Sequence, residues 1–217
     1  LVETESLPWT ADRAHVIRTI PQGLRTIDQY LAIWKARSVR ELYDALARYQ
    51  ATGFNTTAAD AAGETLFGDL GMIPHVSEAF ATDCTPSSSA LKIWTETRTP
   101  VLDGSRAACD WPSDPQASAP GVFAPARQPH LFRSDYVSQS NDSHWLTNPR
   151  QPLTGFSRIF GDEATPRSLR TRLAIHLLDD RARGADGLPG AKFDLPTLQA
   201  VMFNNRHLGG ELVRDDL

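Results

Sequence analysis

Residues 54–70 read FNTTAADAAGETLFGDL and predict a β-hairpin. Threonines precede the turn Asp60-Ala61-Ala62-Gly63, and leucines recur at even spacing after it. Strand-forming residues on either side of a turn that contains glycine are typical of two paired antiparallel strands. We therefore predict strands over Phe54–Asp60 and Glu64–Leu70.

Two helices are predicted before the hairpin. Apolar residues between positions 26 and 36 recur at i, i+3, i+4 and i+7, which predicts a helix with one buried stripe. The motif Ser38-Val39-Arg40-Glu41 predicts a capping box, in which Ser38 accepts a backbone hydrogen bond and Glu41 reaches back. A second helix follows this motif, and Gly53 is its predicted end. The buried stripe of the first helix consists of Ile27, Tyr30, Leu31 and Trp34.

The middle of the chain is predicted to be irregular. Residues 77–129 are punctuated by proline, serine and aspartate, which predicts mostly loop broken by short segments such as 90–96. A strand is predicted after it, over Leu131–Ser140. A loop region of this length inside a domain is usually functional or packed over a larger body.

Two further helices are predicted near the end of the chain. Thr165 is the predicted N-cap of the first, with Pro166 at its first helical position, and Gly184 closes it. Asp194 is the predicted cap of the second. Helices combined with antiparallel strands predict an α+β fold.

The composition excludes several classes of protein. Charged residues make up 22% of the 217 and hydrophobic residues 41%, which is ordinary for a globular protein. Apolar runs are too short for a transmembrane helix, and a net charge of -4 without a basic block argues against a nucleic-acid partner. The two cysteines, Cys84 and Cys109, lack the spacing of a zinc site. They are either disulfide-bonded or two buried thiols.

One polar cluster is a candidate site, and it follows the predicted strand over Leu131–Ser140. It reads Gln139-Ser140-Asn141-Asp142-Ser143-His144-Trp145. Two interpretations are open: an ordinary turn, or a set of donors aimed at one cavity. In the second, a side-chain amide of the cluster donates N–H without changing protonation, as an oxyanion hole requires.

A group of arginines at the start of the next helix forms a second candidate. Arg167, Arg170 and Arg172 lie within one and a half helical turns. Arg172 falls on the apolar face, and an inward arginine needs an acidic partner. The nearby acids are Asp142 and Asp162, so a structural ion pair is predicted.

Several of these stretches, in this order and spacing, resemble the β-chain of the penicillin acylase family, in the branch of lipopeptide and acyl-homoserine-lactone acylases. The stretches that carry the resemblance, which covers about residues 27–217, are Asn55–Gly63, Pro74-His75-Val76, Leu102–Arg106, Cys109-Asp110-Trp111, Gln139–Leu146, Asn148-Pro149, Gln151-Pro152, Phe160-Gly161, Arg167–Arg172, Asn204-Asn205-Arg206 and Asp215-Asp216-Leu217.

The resemblance implies a four-layer αββα fold of N-terminal-nucleophile hydrolases and a self-cleaving precursor. The nucleophile of these enzymes is a serine at the start of the β-chain, with its own α-amino group as base. That serine has no match here, so residues 1–217 are expected to be an internal segment of the β-chain, inactive alone. The expected partners are the α-chain, the rest of the β-chain and an acyl-amide substrate. No cofactor or metal is implied.

The resemblance also implies roles for two residues. Asn141 matches the oxyanion-hole asparagine of the family. Gln139 departs from the family, which often has Asn two positions before that residue, so a role for Gln139 does not carry over. Arg167 is the nearest match to an arginine that shapes the active site, with Arg170 and Arg172 as competitors.

Finally, the resemblance implies export to the periplasm or medium, and therefore a disulfide between Cys84 and Cys109. The substrates implied are lipopeptides, N-acyl-homoserine lactones or penicillins. An alternative is a fragment or binding module that keeps the fold without the chemistry.

Overall fold

The computed structural model describes residues 3–21, 23–51 and 53–216, and within these it contains seven α-helices and three strands. The helices are α1 (Arg25–Ile33), α2 (Val39–Tyr49), α3 (Glu78–Cys84), α4 (Ser88–Thr97), α5 (Leu169–Arg183), α6 (Leu195–Met202) and α7 (Leu208–Val213). The strands are β1 (Thr56–Ala59), β2 (Thr65–Gly68) and β3 (His130–Arg133). The predicted α+β class is confirmed. Across these ranges, every helix is too short or too polar to cross a membrane.

The predicted hairpin is confirmed, with shorter strands. β1 pairs antiparallel with β2, Thr56 opposite Gly68, and β2 pairs antiparallel with β3 on its other side. The side chain of Asp60 stabilises the turn because its Oδ1 accepts hydrogen bonds from the N–H groups of Ala62 (3.0 Å) and Glu64 (3.1 Å). The same carboxylate accepts from the N–H of Val39 at the start of α2, which ties the hairpin to that helix.

The strand predicted over Leu131–Ser140 is wrong beyond Arg133. Asp135 binds the guanidinium of Arg133 through both oxygens, each at 2.8 Å, and also accepts from the N–H of Tyr136. A side chain that turns back on its own strand in this way ends the pairing, so the following residues are irregular.

The first core lies between α2 and the sheet. It consists of Val39, Leu46, Leu66 and Leu70, which are all at most 2% exposed. The predicted burial of the α1 stripe is wrong, because its members are between 41% and 77% exposed. Instead, α1 buries Gln29, whose Oε1 accepts from the N–H of Ala51 at 2.8 Å, and packs Ile33 against the core.

The predicted cap of α2 is confirmed only in part. Ser38 accepts from the N–H of Glu41, but Glu41 accepts from the N–H of Arg37 instead of that of Ser38. The helix also ends at Tyr49 and not at Gly53, because Gln50 adopts the left-handed conformation with φ +46°.

Two buried glutamines explain the early end of α2 at Tyr49. They are Gln50 and Gln128, and we call them the glutamine junction. The side-chain amides of both residues donate to the carbonyl groups of Gly71 and Phe123. The Oε1 atom of Gln128 accepts from the N–H of Gly71 (2.7 Å), and that of Gln50 from the N–H of Ser118 (2.9 Å). Buried backbone groups thereby gain partners that do not ionise.

The region 77–129, predicted to be mostly loop, contains α3 and α4. Ser77 and Ser87 cap these helices by accepting from the N–H groups of Phe80 and Ala90. Serine tracts favour N-caps as well as loops, which is why the sequence pattern alone did not separate them. Both helices contribute to a second core of Val76, Ala81 and Trp94.

The predicted bond between Cys84 and Cys109 is confirmed. It joins the end of α3 to a short 3-10 turn over Ala107–Cys109. Both cysteines are buried. The bond closes a loop that contains α4.

The predicted start of α5 at Thr165 is wrong, whereas its end is confirmed. Ser168 is the N-cap, since its Oγ accepts from the N–H of Thr171 (3.2 Å), and Gly184 ends the helix with φ +63°. The start moves because Arg167 turns back to contact Asp142 and Thr165. After it, Asp194 caps α6 as predicted, and α7 was not predicted.

Arg181, and not Arg172, is the buried arginine of α5. Arg172 is exposed, whereas the side chain of Arg181 is 2% exposed. Its guanidinium lies 3.1 Å from Asp186 and donates to the carbonyl groups of residues 188, 189 and 190. One internal cation therefore organises the loop after α5.

Removal of the disulfide is expected to destabilise the protein. The variant with both Cys84→Ser and Cys109→Ser should lose about 3.5 kcal/mol of unfolding free energy, the chain-entropy value for a sequence separation of 25 residues. Urea unfolding with and without reductant measures this loss. An unchanged unfolding midpoint in the double variant would contradict the expectation.

Asp69, next to the glutamine junction, should make stability depend on pH. Burial raises the pKa of its carboxyl to about 6. Because this value lies above that of the unfolded chain, stability should fall as pH rises from about 4 to 7, by up to about 3 kcal/mol. Asp69→Asn should flatten this decline in urea unfolding at several pH values. Asp44→Asn, at an exposed position of α2, is the control, and an equal effect of both substitutions would exclude Asp69 as the cause.

Candidate active site

The polar cluster is a turn, and Asn141 lies at its exposed tip. Residues 139–143, which we call the Asn141 turn, close through a hydrogen bond from the N–H of Asp142 to Gln139 Oε1 at 2.9 Å. Asn141 has φ +53°. Asparagine and glycine tolerate this conformation best, so the backbone here already restricts the residue type. The turn therefore presents a side-chain amide outward.

The carboxylate of Asp142 connects the Asn141 turn to the start of α5. Its Oδ1 accepts from Arg167 Nη1 (2.7 Å) and the Ser143 N–H (2.8 Å), and its Oδ2 accepts from Thr171 Oγ1 (2.8 Å). Partial burial opposes ionisation, but the hydrogen bonds from Thr171 and Ser143 and the charge of Arg167 outweigh it. The pKa of Asp142 is therefore held below its usual value.

The predicted arginine–carboxylate pair exists with a different arginine. Arg167 pairs with Asp142, and its side chain is only 6% exposed. Arg172 is exposed, and Asp162, the other candidate acid, lies 3.8 Å from Arg98. Sequence spacing did not show which arginine turns back, because that depends on the late start of α5.

Arg170 is the arginine that contacts Asn141. Its Nη1 donates to Asn141 Oδ1 at 3.3 Å, and its Nη2 donates to the carbonyl of Ser140. A guanidinium offers only donors, so the atom that it contacts must be the amide oxygen. The Nδ2 group of Asn141 is then the end of the amide that points away from Arg170.

Behind the Asn141 turn, His144 is fully buried. Its Nε2 lies 3.2 Å from Glu163 Oε1, and its ring meets the Phe156 ring edge-on with centroids 5.2 Å apart. Burial lowers the pKa of His144 and outweighs the opposing effect of Glu163, so the imidazole is neutral near pH 7. A carboxylate only accepts, and therefore Nε2 carries the proton of this hydrogen bond.

A second carboxylate holds the strand before the turn. The carboxylate of Asp135 accepts hydrogen bonds from the guanidinium groups of Arg133 and Arg150 (3.0 Å) and from the buried side-chain amide of Asn148 (3.2 Å). Hydrogen bonds from Arg133 are the main reason that the pKa of Asp135 is far below its usual range. The Tyr136 hydroxyl donates to Asp179 on α5 at 3.0 Å, which joins this segment to the helix a second time.

This arrangement supplies a neutral N–H donor with a guanidinium nearby. Such a pair suits negative charge that develops on an oxygen during a reaction. Potential metal ligands come together in the described residues at Asp83, Cys84 and Cys109, but the two cysteines are joined in the disulfide and offer no thiolate.

Comparison with known proteins finds amidases and acylases. The family model described as penicillin amidase matches residues 2–217. Aculeacin-A acylase of Actinoplanes utahensis is 46% identical over 211 residues, which are 96% of this chain and 27% of that protein. Acyl-homoserine lactone acylase PvdQ of Pseudomonas fluorescens (strain Pf0-1) is 39% identical over 174 residues, 79% of this chain and 22% of that protein. The chain thus spans about a quarter of the length of these relatives.

Loss of the Asp142 charge is expected to destabilise the candidate site. Asp142→Asn leaves the buried guanidinium of Arg167 without a counter-charge. This should lower the free energy of unfolding by about 3 kcal/mol at pH 7. Because folding lowers the pKa of Asp142, this contribution should start to decline below about pH 4 and be lost only as the pH falls through the lower pKa of the folded state.

The matched control is Asp162→Asn, since Asp162 forms a more exposed pair with Arg98. It should cost less than about 1 kcal/mol. Urea unfolding of both variants at pH 7 measures the difference. Equal losses for the two variants would contradict the importance assigned to Asp142.

Proposed function

This chain belongs to the penicillin amidase family, and we propose that it is part of an acylase that hydrolyses the amide bond of acylated small molecules. The observation that carries the proposal is the outward amide of Asn141, at the tip of a turn that is fixed by Asp142. Its Oδ1 is engaged by Arg170, which leaves the N–H end for a ligand.

In the proposed reaction, a serine at the start of the β-chain attacks the acyl carbonyl, and its own α-amino group takes the hydroxyl proton. The carbonyl oxygen becomes negative, and the Nδ2–H of Asn141 donates to it. The amine then leaves with the proton that the α-amino group had taken, an acyl-enzyme remains, and water, which gives a proton to the same α-amino group, releases the acid. We propose that the serine lies outside these 217 residues, which form an internal segment of the β-chain.

The two arginines have different proposed roles. Arg170 fixes the amide orientation of Asn141, because a flipped amide would place N–H donors against N–H donors. Arg167, the predicted active-site arginine, acts through Asp142 and not by contact with Asn141. The guanidinium carbon of Arg167 lies 5.5 Å from the centre of the Trp145 ring.

The proposed substrates carry an acyl chain on an amide nitrogen, as lipopeptides, N-acyl-homoserine lactones and penicillins do. Two of the relatives are an aculeacin-A acylase and an acyl-homoserine lactone acylase, which supports acylated small molecules as substrates. Export is also proposed, since a buried disulfide is typical of proteins that fold in oxidising compartments.

Exposed apolar surface supports the placement within a larger enzyme. Besides the α1 stripe, large side chains of the last two helices are exposed, among them Leu195, Met202 and Phe203 at 67% or more. Apolar patches of this kind are rare on free monomers. We propose that neighbouring layers of a four-layer αββα fold cover them in the complete acylase, formed by the α-chain and the rest of the β-chain.

The central test replaces Asn141 in the complete acylase. Asn141→Gly keeps the left-handed backbone and removes the amide, so kcat should fall by about 100- to 1,000-fold. KM should change little, because the charge develops only in the transition state. Initial rates on an acyl-homoserine lactone and a lipopeptide measure both constants.

Asn205→Gly is the matched control, since Asn205 is also exposed and has φ +54°. It should retain the full rate. A folded Asn141→Gly enzyme with normal kcat would disprove the oxyanion role. If N-terminal sequencing and intact mass of the complete protein show no β-chain-initial serine, the binding-module alternative is correct.

A further inference from the structure

The Asn141 turn is held from behind by a second loop, residues 155–163, which we call the clasp loop. Glu163 closes this loop on itself, because its two oxygens accept from the N–H groups of Gly155 and Phe156, each at 2.9 Å. Partial burial opposes ionisation of Glu163, but these hydrogen bonds and that of His144 lower its pKa overall. The carboxylate is therefore charged and fixed.

Two contacts join the clasp loop to the Asn141 turn. The first is the hydrogen bond between His144 and Glu163, reinforced by the ring of Phe156 against the imidazole. The second is a close approach at Gly161, which has φ +140°, where an added Cβ would lie 3.1 Å from the Cβ and Oγ of Ser143. A Cβ here would force Ser143 to move by a few tenths of an ångström, so the turn and the loop are in direct contact.

His144 follows the turn without a flexible spacer. Ser143 donates to Asp142 on one side of it, and the carbonyl of His144 accepts from the N–H of Thr147 on the other (3.2 Å). A movement of the imidazole is therefore transmitted to Asn141 three residues earlier. Displacement of a catalytic group by about 1 Å can cost about 100-fold in rate.

We propose that His144 and Glu163 are positioning residues that orient the Asn141 turn toward the oxyanion through their Nε2–H···carboxylate hydrogen bond. This inference rests on the proposed function. In this role the buried, uncharged imidazole of His144 supports catalysis without any proton transfer. The role also explains a histidine that is buried too deeply to contact a substrate.

Two substitutions of His144 separate the hydrogen bond from packing. His144→Phe keeps a ring beside Phe156 but removes the donor, whereas His144→Gln keeps an N–H near the position of Nε2. In the complete acylase, His144→Phe should lower kcat by about 10- to 100-fold with KM within about threefold of the parent. His144→Gln should recover at least half of this loss on a logarithmic scale.

Glu163→Leu provides a second route if His144→Phe does not fold. It removes both acceptor oxygens and therefore the hydrogen bond from His144, so it should show the same selective fall in kcat. A folded His144→Phe or Glu163→Leu enzyme with kcat within twofold of the parent would overturn the inference, as would a His144→Gln enzyme no faster than His144→Phe. Asn141→Gly is assayed alongside. If it too keeps full activity, the proposed function fails; if it alone loses activity, only the positioning role fails.

Discussion

The candidate site depends on one half-buried carboxylate. A charge in this position is stable only when donors surround it, and Asp142 collects them from both sides: the N–H of its own turn and the side chains of Arg167 and Thr171 at the start of α5. The two carboxylate oxygens of Asp142 thus fix both the backbone of the turn and the beginning of the helix. Arg170 reaches Asn141 because α5 begins after Ser168 and not at Thr165, so the orientation of the amide is a consequence of that anchoring.

Elements of the fold that are encoded locally were predictable from the sequence. The hairpin turn at Asp60, the end of α5 at Gly184 and the cap at Asp194 each need only a few neighbouring residues. The exposure of the α1 stripe was not predictable, because periodicity reveals an apolar face but not what covers it. Trp34, for example, is exposed in the described part of the chain. The end of β3 was missed because it depends on the conformation of Asp135.

The candidate site was predictable in its residue types and not in its pairing. Asn141 was identified from a family resemblance, and the turn around it from composition. Three arginines at close spacing could not be ranked, since only the three-dimensional path shows that Arg167 turns inward while Arg170 lies over the amide. No signal in the sequence indicated the pair of His144 and Glu163, because they lie nineteen positions apart in a stretch without an α-helix or strand.

The range of sequence separations in these hydrogen bonds has a kinetic consequence. Contacts around the Asn141 turn join residues 25 to 30 apart, as in Arg167–Asp142 and Arg170–Ser140. Three pairs of the glutamine junction are much farther apart in the chain: Gln128 and Gly71 by 57 residues, Gln50 and Ser118 by 68, and Gln50 and Phe123 by 73. Short chain loops close at a smaller entropic cost, so we expect the Asn141 turn to gain native contacts early in folding. The long-range hydrogen bonds of the glutamine junction would then form after the donors of the site are oriented.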